Sequence, residues 1–248
     1  MTLFTDLTGP DIGRRADDIL FLPLGSVEQH GPHLPVDTDA CLARAFAKAG
    51  AERTNGIVGP DFAYGYRSQP VSGGGELFPG TISLSGATYS ALVRDLVVAY
   101  ARHGHRRIVF VNGHFENTMF AIEGINLALE QKAETDVLVV NWWEIIEAKA
   151  LDELFEGRFP GWEAEHAGVV ETSLMLHVDP SRVDTALISP HVATVTAPPY
   201  TRLPEPPGQV DPSGVLRTAA GSSAEIGRGL FGLVDKRLGD LVAAEFGA

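Results

Sequence analysis

Short apolar segments of strand length alternate along this chain with longer segments of helical periodicity, and this alternation constrains the fold more than any other feature. Strands are predicted at 19–24, 56–60, 107–112 and 136–141. Helices are predicted at 39–52, 86–103, 116–131, 169–176 and 222–246. Apolar strands separated by helices are typical of a parallel sheet that helices cover on both faces. The pattern therefore predicts an α/β fold, a three-layer α/β/α sandwich with a mainly parallel sheet.

The size and charge of the chain limit the kinds of protein and of binding partner that are compatible with it. Its 248 residues are enough for one sizeable core, so residues 1–248 are expected to form a single domain. The lone Cys41 has no partner for an internal disulfide. A formal net charge of −13 argues against nucleic acid or an anionic membrane as partner, because both select basic patches. Since neither a secretion signal nor an apolar run of roughly 18 residues is visible, we expect a cytoplasmic protein.

Two segments lack a regular pattern. Residues 68–80 are rich in glycine and proline, which predicts an irregular loop. Residues 190–212 contain seven prolines, which favours an extended surface loop over a linker between two domains.

Metal-ligating side chains follow two of the predicted strands. Glu28 and His30 come shortly after the first strand, His114 and Glu116 follow the strand at 107–112, and Asp39 begins a helix. Ligands of parallel sheets usually bind beyond the carboxyl ends of the strands, so these side chains are expected to share one cleft. In extended backbone, residues two apart project to the same side, so each pair would offer one nitrogen and one oxygen ligand. Imidazole and carboxylate together suit zinc or manganese, and Asp39 is placed to bridge two ions.

Simpler interpretations apply to several of the polar residues. A single Glu-x-His pair is more often a solvated loop or a local hydrogen bond, but two pairs after separate strands, with Asp39 nearby, favour a metal site. His33 is more typical of a loop and Asp37 of a helix cap. His103 and His105 lie in a basic turn and are predicted to be exposed.

The segments that hold these residues resemble the creatininase (creatinine amidohydrolase) family. The resemblance runs from about Leu22 to Asp184. It is carried by the sequences GSVEQHGPH at 25–33, SGGG at 72–75, NGHFEN at 112–117, GWEAEH at 161–166 and ETSLML at 171–176. The resemblance implies a layered α/β fold, a ring-like homohexamer, and two divalent ions per subunit, Zn²⁺ and Mn²⁺. It also implies hydrolysis of the C–N bond of a cyclic amide, with interconversion of creatinine and creatine.

The same resemblance implies roles for individual residues. One ion would be held by Glu28, Asp39 and His114, and the other by His30, Asp39 and Glu116. The implied substrate-binding residues are Ser72, Phe115, Trp143, Trp162, Glu163 and His166. His166 is the candidate proton carrier to the leaving nitrogen, and Glu116 is the candidate assisting base.

Two departures from the family pattern leave the substrate open. The creatininases that these segments resemble carry tyrosine where this chain has Phe115, and aspartate where it has Glu163. Such changes alter selectivity when a polar substrate group is left unpaired. Creatinine is the leading substrate, and a formamide or a short peptide is the alternative. A non-catalytic metal-binding protein is disfavoured, because structural zinc sites are usually closed and rich in cysteine.

Overall fold

The structure is a computed structural model that describes residues 1–192, 200, 202–204, 206 and 208–247. Over these residues the chain forms a five-stranded sheet. Its strands are β1 (Thr2–Leu3), β2 (Leu20–Leu24), β3 (Ile57–Val58), β4 (Arg107–Asn112) and β5 (Asp136–Asn141). Each strand runs parallel to its neighbours, in the spatial order β1-β3-β2-β4-β5.

Helices connect and cover the strands. They are α1 (Gly9–Arg14), α2 (Thr38–Thr54), α3 (Gly86–Arg102), α4 (Asn117–Glu130), α5 (Ala148–Leu154), α6 (Val169–Val178) and α7 (Ala224–Phe246). Short 3-10 turns occupy Phe4–Asp6, Pro180–Arg182 and Thr185–Leu187. All predicted strands and helices are present, with ends that shift by a few residues. β1, α1 and α5 were not predicted, because elements this short carry too few residues to show a period.

The two faces of the sheet bury separate cores, because successive residues of a strand point to opposite sides. Phe21 and Val109 belong to one core, which also contains apolar side chains of α2, α6 and α7. Leu22 and Phe110 belong to the other, with side chains of α3 and α4. The predicted α/β/α arrangement is therefore confirmed, with a sheet that is parallel throughout. Among the described residues, no helix is both long and apolar enough to cross a membrane.

The register of the central strands brings the site segments together. β2 and β4 are adjacent, and Leu24 lies opposite Asn112 at their carboxyl ends. The chain continues through Gly25 after β2 and through Gly113 after β4. A Cβ atom on either glycine would collide with the backbone of Ala40 or Asp39 in the first turn of α2. The two glycines thus let α2 begin directly against both strand ends.

The structure describes one of the two predicted irregular segments in full and the other only in part. Residues 68–80 form turns and loops between β3 and α3, as predicted. The proline-rich segment at 190–212 includes residues 193–199, 201, 205 and 207, which lie outside the described residues.

Candidate metal centre and active-site cavity

Four of the five predicted metal ligands converge beyond the ends of β2 and β4. The Nδ1 atom of His114 lies 3.1 Å from Oε2 of Glu28 and 3.1 Å from Oδ2 of Asp39. The Nε2 atom of His30 lies 3.1 Å from Oδ1 of Asp39. Asp39 therefore points one oxygen towards each histidine, and the four side chains form a single buried cluster.

The donor set of this cluster fits a divalent cation. Oε1 of Glu28, Nε2 of His30 and Oδ2 of Asp39 are buried, and none has a hydrogen-bond partner among residues 1–192 or the described residues beyond. Buried polar atoms normally have hydrogen-bond partners, so several unpaired donor atoms that face one another fit a site for a bound cation. Glu28, Asp39 and His114 offer ligand atoms within 4.8 Å of one another. Mixed nitrogen and oxygen donors at such spacing suit zinc or manganese.

The residue beside His30 and Asp39 is Glu171, to which no ligand role was assigned from the sequence. Its Oε2 lies 3.8 Å from Nε2 of His30, and His30, Asp39 and Glu171 form a second group of potential ligands. Glu171 belongs to the first turn of α6 and is buried. The sequence carried a signal, since Glu171 begins one of the segments that resemble the family. A third group combines Glu28, His30 and His166.

Glu116 occupies a different position, at the start of α4. Its Oε2 lies 3.3 Å from Nε2 of His114, the ring nitrogen that faces away from Asp39. Its Oε1 accepts hydrogen bonds from the Ser72 hydroxyl and, at 3.1 Å, from the backbone N–H of Gln69. None of the potential ligand groups found in the described residues contains Glu116. Its assignment as a ligand stays a prediction, while its contacts connect the Ser72 loop to His114.

Charges in the cluster are strongly coupled. Burial raises the pKa of Glu28 to about 7. Burial opposes protonation of His30 and His114, but neighbouring carboxylates, led by Asp39 and Glu28 respectively, raise both pKa values well above normal. Burial also disfavours the charge on Asp39, yet the adjacent histidines lower its pKa. Protons on the histidines thus balance the carboxylates in the metal-free protein, and metal binding would release them.

His166 lies against this cluster. Its ring is buried, with its centroid 4.4 Å from that of His30. The Nε2–H of His166 donates to the main-chain carbonyl of Gln29 at 2.7 Å. Burial, followed by the nearby His30, holds the pKa of His166 well below its usual value, so the imidazole is neutral near pH 7.

A cavity of about 390 Å³ opens beside the cluster. All six predicted substrate-binding residues line it: Ser72, Phe115, Trp143, Trp162, Glu163 and His166. Glu28, Asp39, His114, Glu116 and Glu171 line it as well. The cavity therefore joins the candidate metal ligands to aromatic and carboxylate side chains.

Sequence reasoning missed one aromatic residue of the cavity wall, Trp142. Its ring makes edge-on contacts with Trp143 and Trp162, at centroid distances of 5.7 and 5.9 Å. Phe115 lies 6.3 Å from Trp143 and is 62% exposed, so it forms part of the open side of the cavity. The adjacency of Trp142 and Trp143 was visible in the sequence, but only the structure shows that both line the cavity.

One prediction about a polar residue outside the cavity is wrong, and another is confirmed only in position. His105 is buried, whereas exposure was predicted, because the chain reverses at Gly104 and brings the ring against Phe4 and Tyr100. Asp37 occupies the N-cap position of α2, as predicted, but its side chain makes no capping hydrogen bond and pairs instead with Arg182.

Comparison with known proteins places the chain in a family. The sequence profile named Creatininase, described as creatinine amidohydrolase, matches residues 5–242. The chain belongs to the creatininase family. A creatinine amidohydrolase of Pseudomonas putida is 41% identical over 236 residues, which are 93% of this chain and 90% of that protein. A mycofactocin precursor peptide peptidase of Mycobacterium ulcerans is 34% identical over 235 residues, 86% of this chain and 79% of that one.

A solved structure supports the same assignment. The structure named creatininase Mn superimposes with a TM-score of 0.96 at 38% sequence identity, covering 100% of this chain and 99% of that one. As a member of the creatininase family with a buried cluster of potential metal ligands, the chain is a metal-dependent hydrolase of amide bonds.

Proposed function

We propose that this chain is a dinuclear-metal creatinine amidohydrolase that interconverts creatinine and creatine. The proposal depends above all on one observation: the buried imidazole–carboxylate cluster and the aromatic, acidic wall line the same cavity of about 390 Å³. Both parts are needed, because a metal centre without a pocket selects no substrate and a pocket without the metal centre does not activate water.

Two groups of side chains would hold the ions. Glu28, Asp39 and His114 form one, and His30, Asp39 and Glu171 form the other, with Asp39 common to both. Zn²⁺ and Mn²⁺ are the ions that the family resemblance and the mixed donor set favour. When bound, such ions polarise an amide carbonyl and lower the pKa of water at the site.

The cavity wall suits a small, flat amide with N–H donors, whose ring-opened form carries a guanidinium. Creatinine is a planar lactam that carries a guanidine-like group. Trp143, Trp162 and Phe115 offer ring faces for stacking and for cation–π attraction. The Glu163 carboxylate offers charge-assisted hydrogen bonds to N–H donors. The wall would therefore orient the lactam carbonyl towards the buried cluster.

His166 is the proposed proton carrier. Hydrolysis forms a C–O bond from water and breaks the lactam C–N bond, so a proton must move from the water to the leaving nitrogen. The Nε2–H of His166 is engaged by the Gln29 carbonyl, so Nδ1 is the nitrogen available to accept and return that proton. Since the depressed pKa keeps His166 neutral, Nδ1 is unprotonated when the reaction begins.

Glu116 is the second catalytic candidate. It lines the cavity, and hydrogen bonds from the Ser72 hydroxyl and the Gln69 amide hold its carboxylate in place. We assign it the role of an assisting base beside His166, and the ligand role that the resemblance implies is the alternative that the metal content of Glu116→Gln tests.

The direct test is incubation of purified, metal-loaded protein with creatinine, with creatine, and with a matched panel of a formamide, a small lactam and a short peptide. Proton NMR identifies each product. Conversion of creatinine to creatine supports the proposal. Absence of conversion in protein shown to be fully metal-loaded would overturn it.

A second candidate is another amidohydrolase activity, on a formamide or a short peptide. Phe115 supports it, because the hydroxyl that the family pattern provides at this position is absent. The resemblance to a peptide peptidase at 34% identity supports it as well. Cleavage of the formamide or peptide, with creatinine untouched, would favour this candidate.

Three further parts of the proposal are a single domain over residues 1–248, a homohexamer and a cytoplasmic location. The uninterrupted family match over residues 5–242 supports the first, and the family resemblance supports the second. The third is the expectation drawn from the sequence. Sedimentation analysis tests the assembly, and cell fractionation tests the location.

A further inference from the structure

Gln29 connects three segments of the chain that surround the cavity. Its side-chain amide nitrogen donates to the carbonyl of Gly73 at 3.1 Å and to that of Gly214 at 2.8 Å. Its side-chain oxygen accepts from the backbone N–H of Gly31 at 2.9 Å. Its main-chain carbonyl accepts from His166. The residue is buried, so water does not compete for these bonds.

The amide has no capacity left for another partner. An NH₂ group carries two hydrogens, and the carbonyls of Gly73 and Gly214 take both. The 2.9 Å separation between Nε2 of Gln29 and Nε2 of His166 is therefore a contact between two donors. The main chain of Gln29 orients the His166 ring, while its side chain holds the two other segments.

The packing around this amide leaves room only for glycine. Gly74 and Gly214 have φ angles of +87° and +79°, which side-chain-bearing residues rarely adopt. A Cβ atom on Gly74 would lie 2.5 Å from Nε2 of Gln29, and one on Gly214 would collide with its amide group. Both segments thus approach Gln29 as closely as backbone can.

Each segment that Gln29 holds leads to a residue of the cavity. Ser72 directly precedes Gly73, lines the cavity and donates to Glu116. Beyond Gly214, the Leu216 N–H donates to the His166 carbonyl at 3.3 Å. Arg217 donates to the carbonyl of Pro160, two residues before Trp162.

We infer that Gln29 is a positioning residue: its amide clamps the Ser72 loop and the segment 214–217 against the His166 region. Ser72, Trp162 and His166 then face one cavity in a fixed relation. The catalytic consequence rests on the proposed function, whereas the clamp itself rests on hydrogen bonds alone.

The test is Gln29→Met, which keeps the side-chain volume but removes every side-chain hydrogen bond. The control is Gln131→Met, the same change at an exposed residue after α4. Hydrogen-exchange mass spectrometry should show exchange at least about tenfold faster in peptides covering 68–80 and 208–219, and no change over α4. Metal content should equal that of the wild type, while kcat/KM for creatinine falls on the order of 10–100-fold. The control should match the wild type throughout.

Gln29→Glu provides a second variant if the methionine protein does not fold. It keeps the acceptor for Gly31 but turns an oxygen towards two carbonyls, so the same two segments should loosen. Unchanged exchange in both segments would overturn the inference, and so would accelerated exchange over the whole chain or loss of metal. If the wild type hydrolyses no amide, the proposed function fails, and the exchange comparison still decides whether Gln29 is a clamp.

Discussion

The Nε2 atom of His30 lies 3.1 Å from Oδ1 of Asp39 at the carboxyl end of the sheet. The other oxygen of Asp39 lies 3.1 Å from Nδ1 of His114, which comes from a different strand end. A carboxylate that presents one oxygen to each of two imidazoles is placed to bridge two ions.

Asp39→Asn should lose at least one metal equivalent per subunit, because a neutral amide supplies neither the charge nor the second oxygen ligand. Activity should fall by more than the roughly 10–100-fold typical of losing an outer-shell partner of a metal ligand. Elemental analysis of the dialysed protein measures the first effect. Asp37→Asn is the control, since Asp37 pairs with Arg182 and should leave metal and activity unchanged. Full metal retention by Asp39→Asn would contradict the bridging role.

Glu171→Gln and Glu116→Gln should show which of these two glutamates binds the second ion together with His30 and Asp39. Glu171 groups with His30 and Asp39, so its amide variant should lose one ion. Glu116 contacts the outer nitrogen of His114 and the Ser72 hydroxyl, so its variant should keep both ions and lose turnover. Metal content and kcat measured on both proteins decide between them. Loss of an ion in Glu116→Gln but not in Glu171→Gln would support the set implied by the resemblance, which is His30, Asp39 and Glu116.

His166→Ala should retain metal and lose most turnover, on the order of 10²–10⁴-fold, the usual contribution of general acid–base catalysis. The reason is that the neutral His166 ring lines the cavity beside the cluster, whereas His30 and His114 are the candidate ligands. The measurement is kcat at matched metal loading. His103→Ala, an exposed histidine of the turn after α3, is the control. Unchanged turnover in His166→Ala would exclude proton transfer by this residue.

The sequence was sufficient for the order of strands and helices, because α2, α3, α4 and α7 are long enough to show their period. It was also sufficient to bring the two strand-end clusters to one edge, because parallel strands share that edge. The cavity residues followed from family resemblance, and the structure brings all of them to one pocket.

Other features depend on tertiary packing that no local pattern encodes. Glu171 lies on a mostly apolar, buried helix, so its local pattern predicts core packing, and only the family resemblance of its segment marked it. Gln29 adjoins two candidate ligands, yet its partners Gly73 and Gly214 are far away along the chain. His105 was predicted to be exposed from its basic neighbours, but the reversal at Gly104 decides its direction.

Burial of His105 should make stability depend on pH. Burial, and secondarily His103, lower the pKa of His105 below its ordinary value of 6.5, while Asp18 acts in the opposite direction. Both ring nitrogens are buried without a hydrogen-bond partner in the described part of the chain. The folded state therefore favours neutral His105, and its contribution to stability is fully present above about pH 6.5. As the pH falls below that value, the unfolded chain takes up a proton that the folded chain does not, and stability is lost.

His105→Leu removes this titration while it keeps an apolar side chain between Phe4 and Tyr100. Urea unfolding at about pH 7.5 and about pH 5.5 should show a smaller loss of unfolding free energy for the variant than for the wild type. The metal site titrates in both proteins, so the difference between them isolates His105. His191→Leu, at an exposed position that does not act on His105, should follow the wild type. If the unfolding free energy of His105→Leu and of the wild type fell equally between the two pH values, burial of His105 would not disfavour its protonation, and this prediction would be wrong.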